Sequence, residues 1–320
     1  MFNHAAAIGV DIGNNSLEIA VVKMNGEIIA ADTWPLIVPQ TKNDLVSGLI
    51  RAIREIRIKV ATAGMNPICV GISAKGFIDH MSGIILGPDQ GIKDWTNVPL
   101  AKIVNSETGL PVYVGNDANM MTIAEHRFGA GRGYNNIIFV ALRTGIGGGI
   151  IINGKLYRGV NNAGGEVGQM IINFNDGVSD LGIRGSYEHF ASATAVVRRY
   201  REEIAGNDTH TEKPLTCREI FNLSYADDPA AVKVIKENAE MVGIGLANLI
   251  SIFAPEIIIL GGGMSEANDN YFSMIKKSAF ENSLENCRSE VIIERAALGS
   301  KAALLGSGYY SLYRLAGKTL

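Results

Sequence analysis

Two runs of small and polar residues have the make-up of anion-binding turns. The first is Asp11-Ile12-Gly13-Asn14-Asn15-Ser16, and the second is Arg143-Thr144-Gly145-Ile146-Gly147-Gly148-Gly149. Glycine lets the backbone approach an anion, and successive N–H groups in a tight turn form a concavity that takes a phosphate. Both runs sit in one plan: strand, turn, strand, hairpin tip, strand. The tips are Asn25-Gly26 and Asn153-Gly154. Asn-Gly is the preferred pair for a two-residue hairpin, because both positions need φ > 0. A matched pair of such meanders, one per half, suggests a nucleotide held between two similar lobes. For either meander alone, an ordinary β-hairpin is the plainer alternative.

Other candidate groups lie elsewhere. Asn116-Asp117-Ala118-Asn119 falls where a strand meets a helix. An Asx residue there reads as an N-cap. It also reads as a carboxylate kept ionised by the helix terminus, able to take a proton from a substrate hydroxyl. Gly164-Gly165-Glu166-Val167-Gly168-Gln169 and Gly185-Ser186-Tyr187-Glu188 each set an acid among glycines. Each acid alone reads as a solvated loop residue. Taken with Asn116 and Asp117, these groups offer the several hydrogen bonds that a polyhydroxy ligand needs. Gly261-Gly262-Gly263 follows an apolar strand and permits close approach of a flat ligand such as adenosine, or is a plain strand-to-helix turn. The sequence has no Gly-x-x-x-x-Gly-Lys-Ser/Thr, which excludes a P-loop, and no Gly-x-Gly-x-x-Gly between a strand and a helix, which leaves a Rossmann site unsupported.

The elements that must carry these residues alternate between strand and helix, which defines an α/β fold. The pattern predicts a three-stranded meander over about 5–33 and a helix over 44–63 ended by Gly64. A buried strand follows at 68–73, then irregular chain over 75–91, a helix over 98–108 and a strand at 112–115. A helix is expected over 118–128 and a second meander from about 136. Beyond Glu188 the chain reads as mainly helical, with strands at 257–260 and 291–293. Asp228-Pro229 is an N-cap and first-turn pair for a long helix that Pro255 stops. The last helix runs from about Ser300 to Leu315. With no Pro- or Ser-rich linker, the natural boundary is a hinge near 115.

At 320 residues, 47% apolar and 19% charged, the chain is an ordinary globular protein large enough for two cores. Its net charge of −3 gives no electrostatic basis for nucleic acid or an anionic membrane. The three cysteines, Cys69, Cys217 and Cys287, form neither a metal spacing nor a disulfide framework, which fits a reducing, cytoplasmic setting. The N-terminal residues have no basic region of the kind that opens a signal peptide. No uncharged stretch is longer than 241–255, which falls short of the roughly 20 residues that span a bilayer.

Taken together these motifs resemble the ROK family of sugar kinases and sugar-responsive repressors. The matches, in order, are Asp11-Ile12-Gly13, Gly76-Phe77-Ile78-Asp79, Asp94-Trp95-Thr96-Asn97-Val98-Pro99-Leu100 and Asn116-Asp117-Ala118-Asn119 with Glu125. They continue with Thr144-Gly145 through Gly149, Gly164 through Gly168, Glu188 followed by Ala191-Ser192, and Leu260 through Gly263. The resemblance implies two actin-like (ribonuclease H-like) α/β lobes with a ligand cleft between them. The lobes would be 1–115, completed by a C-terminal helix at 301–320, and 116–300. It implies ATP-dependent phosphorylation of a hexose or N-acetylhexosamine, with Asp117 as base. Gly76, Asn116, Asp117, Glu166, Gln169 and Glu188 would contact the sugar. Asp11, Gly13, Asn14, Asn15, Thr144, Gly145, Gly262 and Gly263 would contact ATP, with Asp11 near Mg2+. A homodimer is common in the family.

The chain also departs from the family pattern. The family's zinc positions read Ser179, Leu181, Ser186 and Gln169, so no structural zinc is expected. Asn14-Asn15-Ser16 stands where Gly-Thr-Lys is usual, Arg143 replaces a glycine and Lys75 a proline. Asparagine tolerates φ > 0 and donates hydrogen bonds, so the first turn is expected to survive. The alternative is a non-catalytic sugar-binding regulator with a degenerate phosphate site. With the first strand expected near residue 5, the DNA-binding helices of family repressors are not expected ahead of it.

Overall fold

The computed structural model describes residues 5–36, 40–87, 91–174, 177–178, 182–205 and 215–318. The opening meander is β1 (Ala6–Ile12), β2 (Ser16–Lys23) and β3 (Ile28–Pro35). β4 (Gln40–Thr41) leads into α1 (Lys42–Ala61). This helix starts before Asp44 because Thr41 and Asp44 form a reciprocal capping box. β5 (Val70–Ala74) follows, fully buried. The stretch expected to be irregular holds a short hairpin, β6 (Ile78–Asp79) with β7 (Ile84–Ile85), and then β8 (Ile92–Lys93) pairs with β4. Buried Trp95 pins the next loop, while Asp94 and Asn97 on either side take left-handed backbone at φ 60° and 55°. Then come α2 (Leu100–Thr108), β9 (Val112–Asn116) and α3 (Asp117–Phe128).

The second meander is β10 (Ile137–Leu142), β11 (Ile146–Ile152) and β12 (Lys155–Tyr157). After it come α4 (Tyr187–Ala191), α5 (Ala193–Ile204), α6 (Cys217–Tyr225) and α7 (Pro229–Phe253). β13 (Ile257–Gly261), α8 (Asp269–Glu281), α9 (Glu285–Arg288), β14 (Ile292–Arg295) and α10 (Ala302–Leu315) complete the described chain. The two main sheets are ordered β3-β2-β1-β5-β9 and β12-β11-β10-β13-β14.

The hairpin tips differ. Asn153 and Gly154 both have positive φ (52° and 74°) and join Ile152 to its partner Lys155, a two-residue turn as expected. At the first tip only Gly26 is left-handed, at 85°. Its N–H donates to the Lys23 carbonyl and the Lys23 N–H to the Glu27 carbonyl, each at 2.9 Å. The loop there is Met24-Asn25-Gly26, one residue longer than the sequence pattern suggests.

The chain divides into two compact units. The first runs up to Gly133 and includes 150–164 and the chain from Ala297 onward. It therefore continues past residue 115 to take in α3. β1, β5 and β9 are parallel neighbours, with β2 and β3 antiparallel to β1. α1 buries Leu45, Leu49, Ile53 and Ile56 within this unit's core. α10 lies against the strands and α3, and two glycines make the approach possible. A methyl at Gly71 would collide with the Ser307 carbonyl, and one at Gly306 with the Met120 carbonyl. Glu125 on α3 is fully buried. Its carboxylate accepts from the N–H groups of Ala130 (2.8 Å), Ala297 (3.2 Å) and Leu298 (2.9 Å), fastening α3 to the chain that enters α10.

The second unit comprises 134–149 and 165–296. β10, β13 and β14 are parallel. Asp228 caps α7, accepting from Ala231 N–H at 2.8 Å, and Pro229 opens the helix. α7 ends with Ala254 left-handed, directly before Pro255. Its buried face packs on Tyr187, Tyr271 and the strands. Among the described residues no helix is long and apolar enough to cross a membrane.

Candidate functional site

Asn116 and Asp117 occupy the junction of β9 and α3, and the structure separates their roles. Asn116 is the N-cap: its Oδ1 accepts from Asn119 N–H at 3.2 Å. Its Nδ2 donates to the Gly76 carbonyl at 3.3 Å, fixing the loop after β5. Gly76 itself sits at φ 83°, where a side chain would be strained. Asp117 is therefore the first helical residue rather than the cap. It is half-buried, and its Oδ1 accepts from Ala118 N–H at 2.9 Å. The helix terminus favours its ionised form.

Asp11 lies near the end of β1, and its Oδ1 accepts from the buried Ser73 hydroxyl at 2.7 Å. A half-exposed carboxylate at that position has the oxygen chemistry that Mg2+ requires. Next comes the first turn. Gly13 donates its N–H to the Ser16 carbonyl at 2.9 Å. Asn14 and Asn15 are exposed, and none of the three has positive φ. The tolerance of asparagine for left-handed backbone is thus not what accommodates these residues: the turn has ordinary backbone geometry.

In the second unit the turn between β10 and β11 is shorter than the glycine run implies. Only Arg143, Thr144 and Gly145 form it; Gly147, Gly148 and Gly149 lie within β11. Packing explains the middle one of these strand glycines. A methyl at Gly148 would press on the Val167 side chain, 3.0 Å from Cγ1 and closer to Cγ2. The loop carrying exposed Glu166 can thereby lie against the strand. Gln169, at the end of that loop, is half-buried, and its Oε1 is buried without a protein partner among the described residues.

Glu188 is placed by α4. Ser186, fully buried, caps this helix by accepting from His189 N–H at 3.3 Å. The Tyr187 hydroxyl, also fully buried, donates to the Val242 carbonyl at 3.0 Å. Glu188 turns its Oε2 onto the β10–β11 turn, accepting from Ile146 N–H at 2.8 Å. Sequence reading placed Glu188 at a sugar and missed this second attachment. Ser179 and Leu181 lie outside the described residues. Among the described residues no group of three or more His, Cys, Asp or Glu side chains is disposed to hold a metal ion.

A cavity of about 470 Å³ lies within the second unit. Arg143, Thr144, Gly263 and Glu266 line it together with Arg218, Phe221, Asn222 and Tyr225 of α6. Its size suits a nucleoside, and it offers aromatic rings, two guanidiniums and backbone donors. The glycine triplet divides its work. Gly262 is left-handed at φ 86°, with the Arg143 side chain and Leu142 carbonyl against it, whereas Gly263 has open space where a side chain would stand. Cys217, also on the wall, is a neutral thiol whose pKa burial pushes up to about 12. Sequence reading did not identify α6 as part of a site. Arg218, Asn222 and Tyr225 at helical spacing after a Thr216–Glu219 capping box were the available signal.

Two α/β units with parallel cores, each opened by a strand–turn–strand meander, define the actin-like (ribonuclease H-like) class. Within it the ROK family model matches residues 7–312, and the chain belongs to the ROK family. A glucokinase of Thermotoga maritima is 31% identical, covering 97% of this chain and 98% of its own. A ROK glucokinase from Streptomyces griseus, solved with glucose and AMPPNP, superposes with a TM-score of 0.82. It is 32% identical, with 96% of this chain and 99% of that one covered. A putative xylose repressor of a Caldicellulosiruptor species is 30% identical, covering 95% of this chain and 77% of its own.

Proposed function

We propose that this protein is an ATP-dependent sugar kinase acting on a hydroxyl of a hexose or N-acetylhexosamine. The observation that carries the reading is the nucleoside-sized cavity beside the Thr144–Gly145 turn. It gives the nucleotide that a kinase needs a place to bind. Asp117 takes the proton of the attacking hydroxyl, whose oxygen forms the new bond to the γ-phosphorus as the bond to ADP breaks. Asn116, Gly76, Glu166, Gln169 and Glu188 hold the sugar hydroxyls. Thr144, Gly145, Gly262 and Gly263 take the nucleotide, joined by Asp11, Gly13, Asn14 and Asn15 at the phosphates. Mg2+, with Asp11 as its protein carboxylate, neutralises phosphate charge when bound. Positioning and electrostatics supply most of the rate. The chain works as a cytoplasmic homodimer, as the family resemblance suggests.

ATP consumption coupled to a dehydrogenase, run over a panel of hexoses and N-acetylhexosamines, tests the reading. Asp117→Asn is expected to lower kcat by roughly 10²–10⁴ while sugar binding persists. Because Asn116 is the cap, the substitution leaves helix capping intact, and near-normal turnover would end the mechanism. The second reading is a sugar-binding regulator. It is favoured by Asn14-Asn15 in the first turn and by the repressor among the relatives. Sugar binding without any binding of AMPPNP at millimolar concentration would establish it instead.

A further inference from the structure

The β10–β11 turn does not hold its shape alone. The N-terminus of α5 donates into it: Ala193 N–H to the Arg143 carbonyl at 2.9 Å, and Thr194 N–H to the Thr144 carbonyl at 3.4 Å. The Thr194 hydroxyl gives the shorter bond, 2.7 Å to the same Thr144 carbonyl. These contacts have a geometric consequence. A trans peptide points its C=O and the following N–H in opposite directions. With the carbonyls of Arg143 and Thr144 turned to α5, the N–H groups of Thr144 and Gly145 face away from it. Among the described residues neither N–H has an acceptor. Two successive N–H groups aimed the same way make an anion-receiving nest.

We infer that Thr194 is a positioning residue for the phosphates. It touches no substrate; its hydroxyl holds the Thr144 peptide in the orientation that presents the nest. The inference rests on the nucleotide reading above and adds which groups receive the phosphates and what aims them. Ser192, which caps α5 by accepting from Ala195 N–H at 3.2 Å, keeps the helix start in register for these contacts.

The test compares Thr194→Val, which keeps shape and removes the hydroxyl, with Thr194→Ser, which restores it. AMPPNP, adenosine and glucose are titrated calorimetrically into each protein. Thr194→Val is expected to bind AMPPNP roughly three- to tenfold more weakly, the scale of one hydrogen bond. Adenosine and glucose should bind as in wild type, and Thr194→Ser should recover AMPPNP affinity. An unchanged AMPPNP affinity in Thr194→Val overturns the inference. So does an equal loss for adenosine, because the effect would then be general to the cavity. Wild-type protein that binds glucose but neither adenosine nor AMPPNP refutes the nucleotide reading itself, a result distinct from either of these.

Discussion

Gly145→Ala tests how the β10–β11 turn and Glu188 depend on each other. A methyl at this position would stand 3.0 Å from Glu188 Cδ and closer still to Oε2. The carboxylate cannot simply retreat. Its Oε2 is bonded to Ile146 N–H, and its helix is anchored by fully buried Tyr187. A methyl at Gly245 would strike the Tyr187 ring, so α4 has no slack toward α7. The Glu188 side chain must therefore rotate away and leave the N–H of buried Ile146 without its acceptor. An unsatisfied buried donor costs about 1–3 kcal/mol, and the lost bond was to a charged group, so a loss of about 2–3 kcal/mol is expected. Urea unfolding measures it as a shift in midpoint at constant slope. The decisive comparison is a cycle with Glu188→Ala. Removing the carboxylate removes the obstacle, so Gly145→Ala should cost little in that background, giving a coupling of about 2 kcal/mol. A cost below about 0.5 kcal/mol in the wild-type background, or the same cost in both, would refute the reasoning.

Two further outcomes follow from ionisable groups of the first unit, fully buried Glu125 and half-buried His80. Glu125→Gln replaces an acceptor of three backbone N–H groups with a side chain that must turn an NH2 toward at least one of them. Charge-assisted bonds of this kind are worth about 1.5–3 kcal/mol each, so a loss of about 2–4 kcal/mol in urea unfolding is expected. A loss under about 1 kcal/mol would show that these bonds hold little. His80 is lowered to about 4 by burial and by the guanidiniums of Arg158 and Arg314, against smaller opposing effects from Asp79 and Asn162. The unfolded chain takes up a proton near pH 6.5, which the folded chain resists until about pH 4. Its contribution to stability is thus full above pH 6.5 and declines as pH falls toward 4. His80→Gln should flatten the stability profile across that window, and an unchanged slope would count against the burial assigned to this ring.

Much of this was legible in the sequence because periodicity and capping report directly on backbone state. The long helix from Asp228 to Pro255 and the strand before Gly261-Gly262-Gly263 stand where apolar pattern and breakers placed them. The misreadings involve glycine and asparagine, whose meaning depends on what lies across from them. Gly147 to Gly149 look like a turn in a string of letters, yet they are strand residues, and Gly148 is thinned so that the Glu166 loop can lie on it. Asn25-Gly26 looks identical to Asn153-Gly154, yet it closes a loop one residue longer. The contact of Glu188 with Ile146, and those of Thr194 and α6 with the turn and cavity, join residues dozens of positions apart. Local pattern contains no term for such pairings.

The two meanders share a plan, but their turns are built to different tolerances. In the first, Gly13 already gives its N–H to Ser16, and Asn14 and Asn15 stand exposed in ordinary backbone. Nothing about that geometry demands glycine at either position, so substitution there changes which donors are offered and leaves the turn intact. In the second, Gly145 is hemmed in by Glu188, and the carbonyls of Arg143 and Thr144 are bound to the start of α5. A change at Gly145 displaces the Glu188 carboxylate, which the kinase reading places at the sugar. The departure from the family pattern therefore falls where the fold has latitude. The turn with none keeps Thr144, Gly145 and Glu188 together. Stability alone keeps Gly145 and Glu188 in place, in a kinase or in a regulator, so nucleotide binding and not the retained turn separates the two readings.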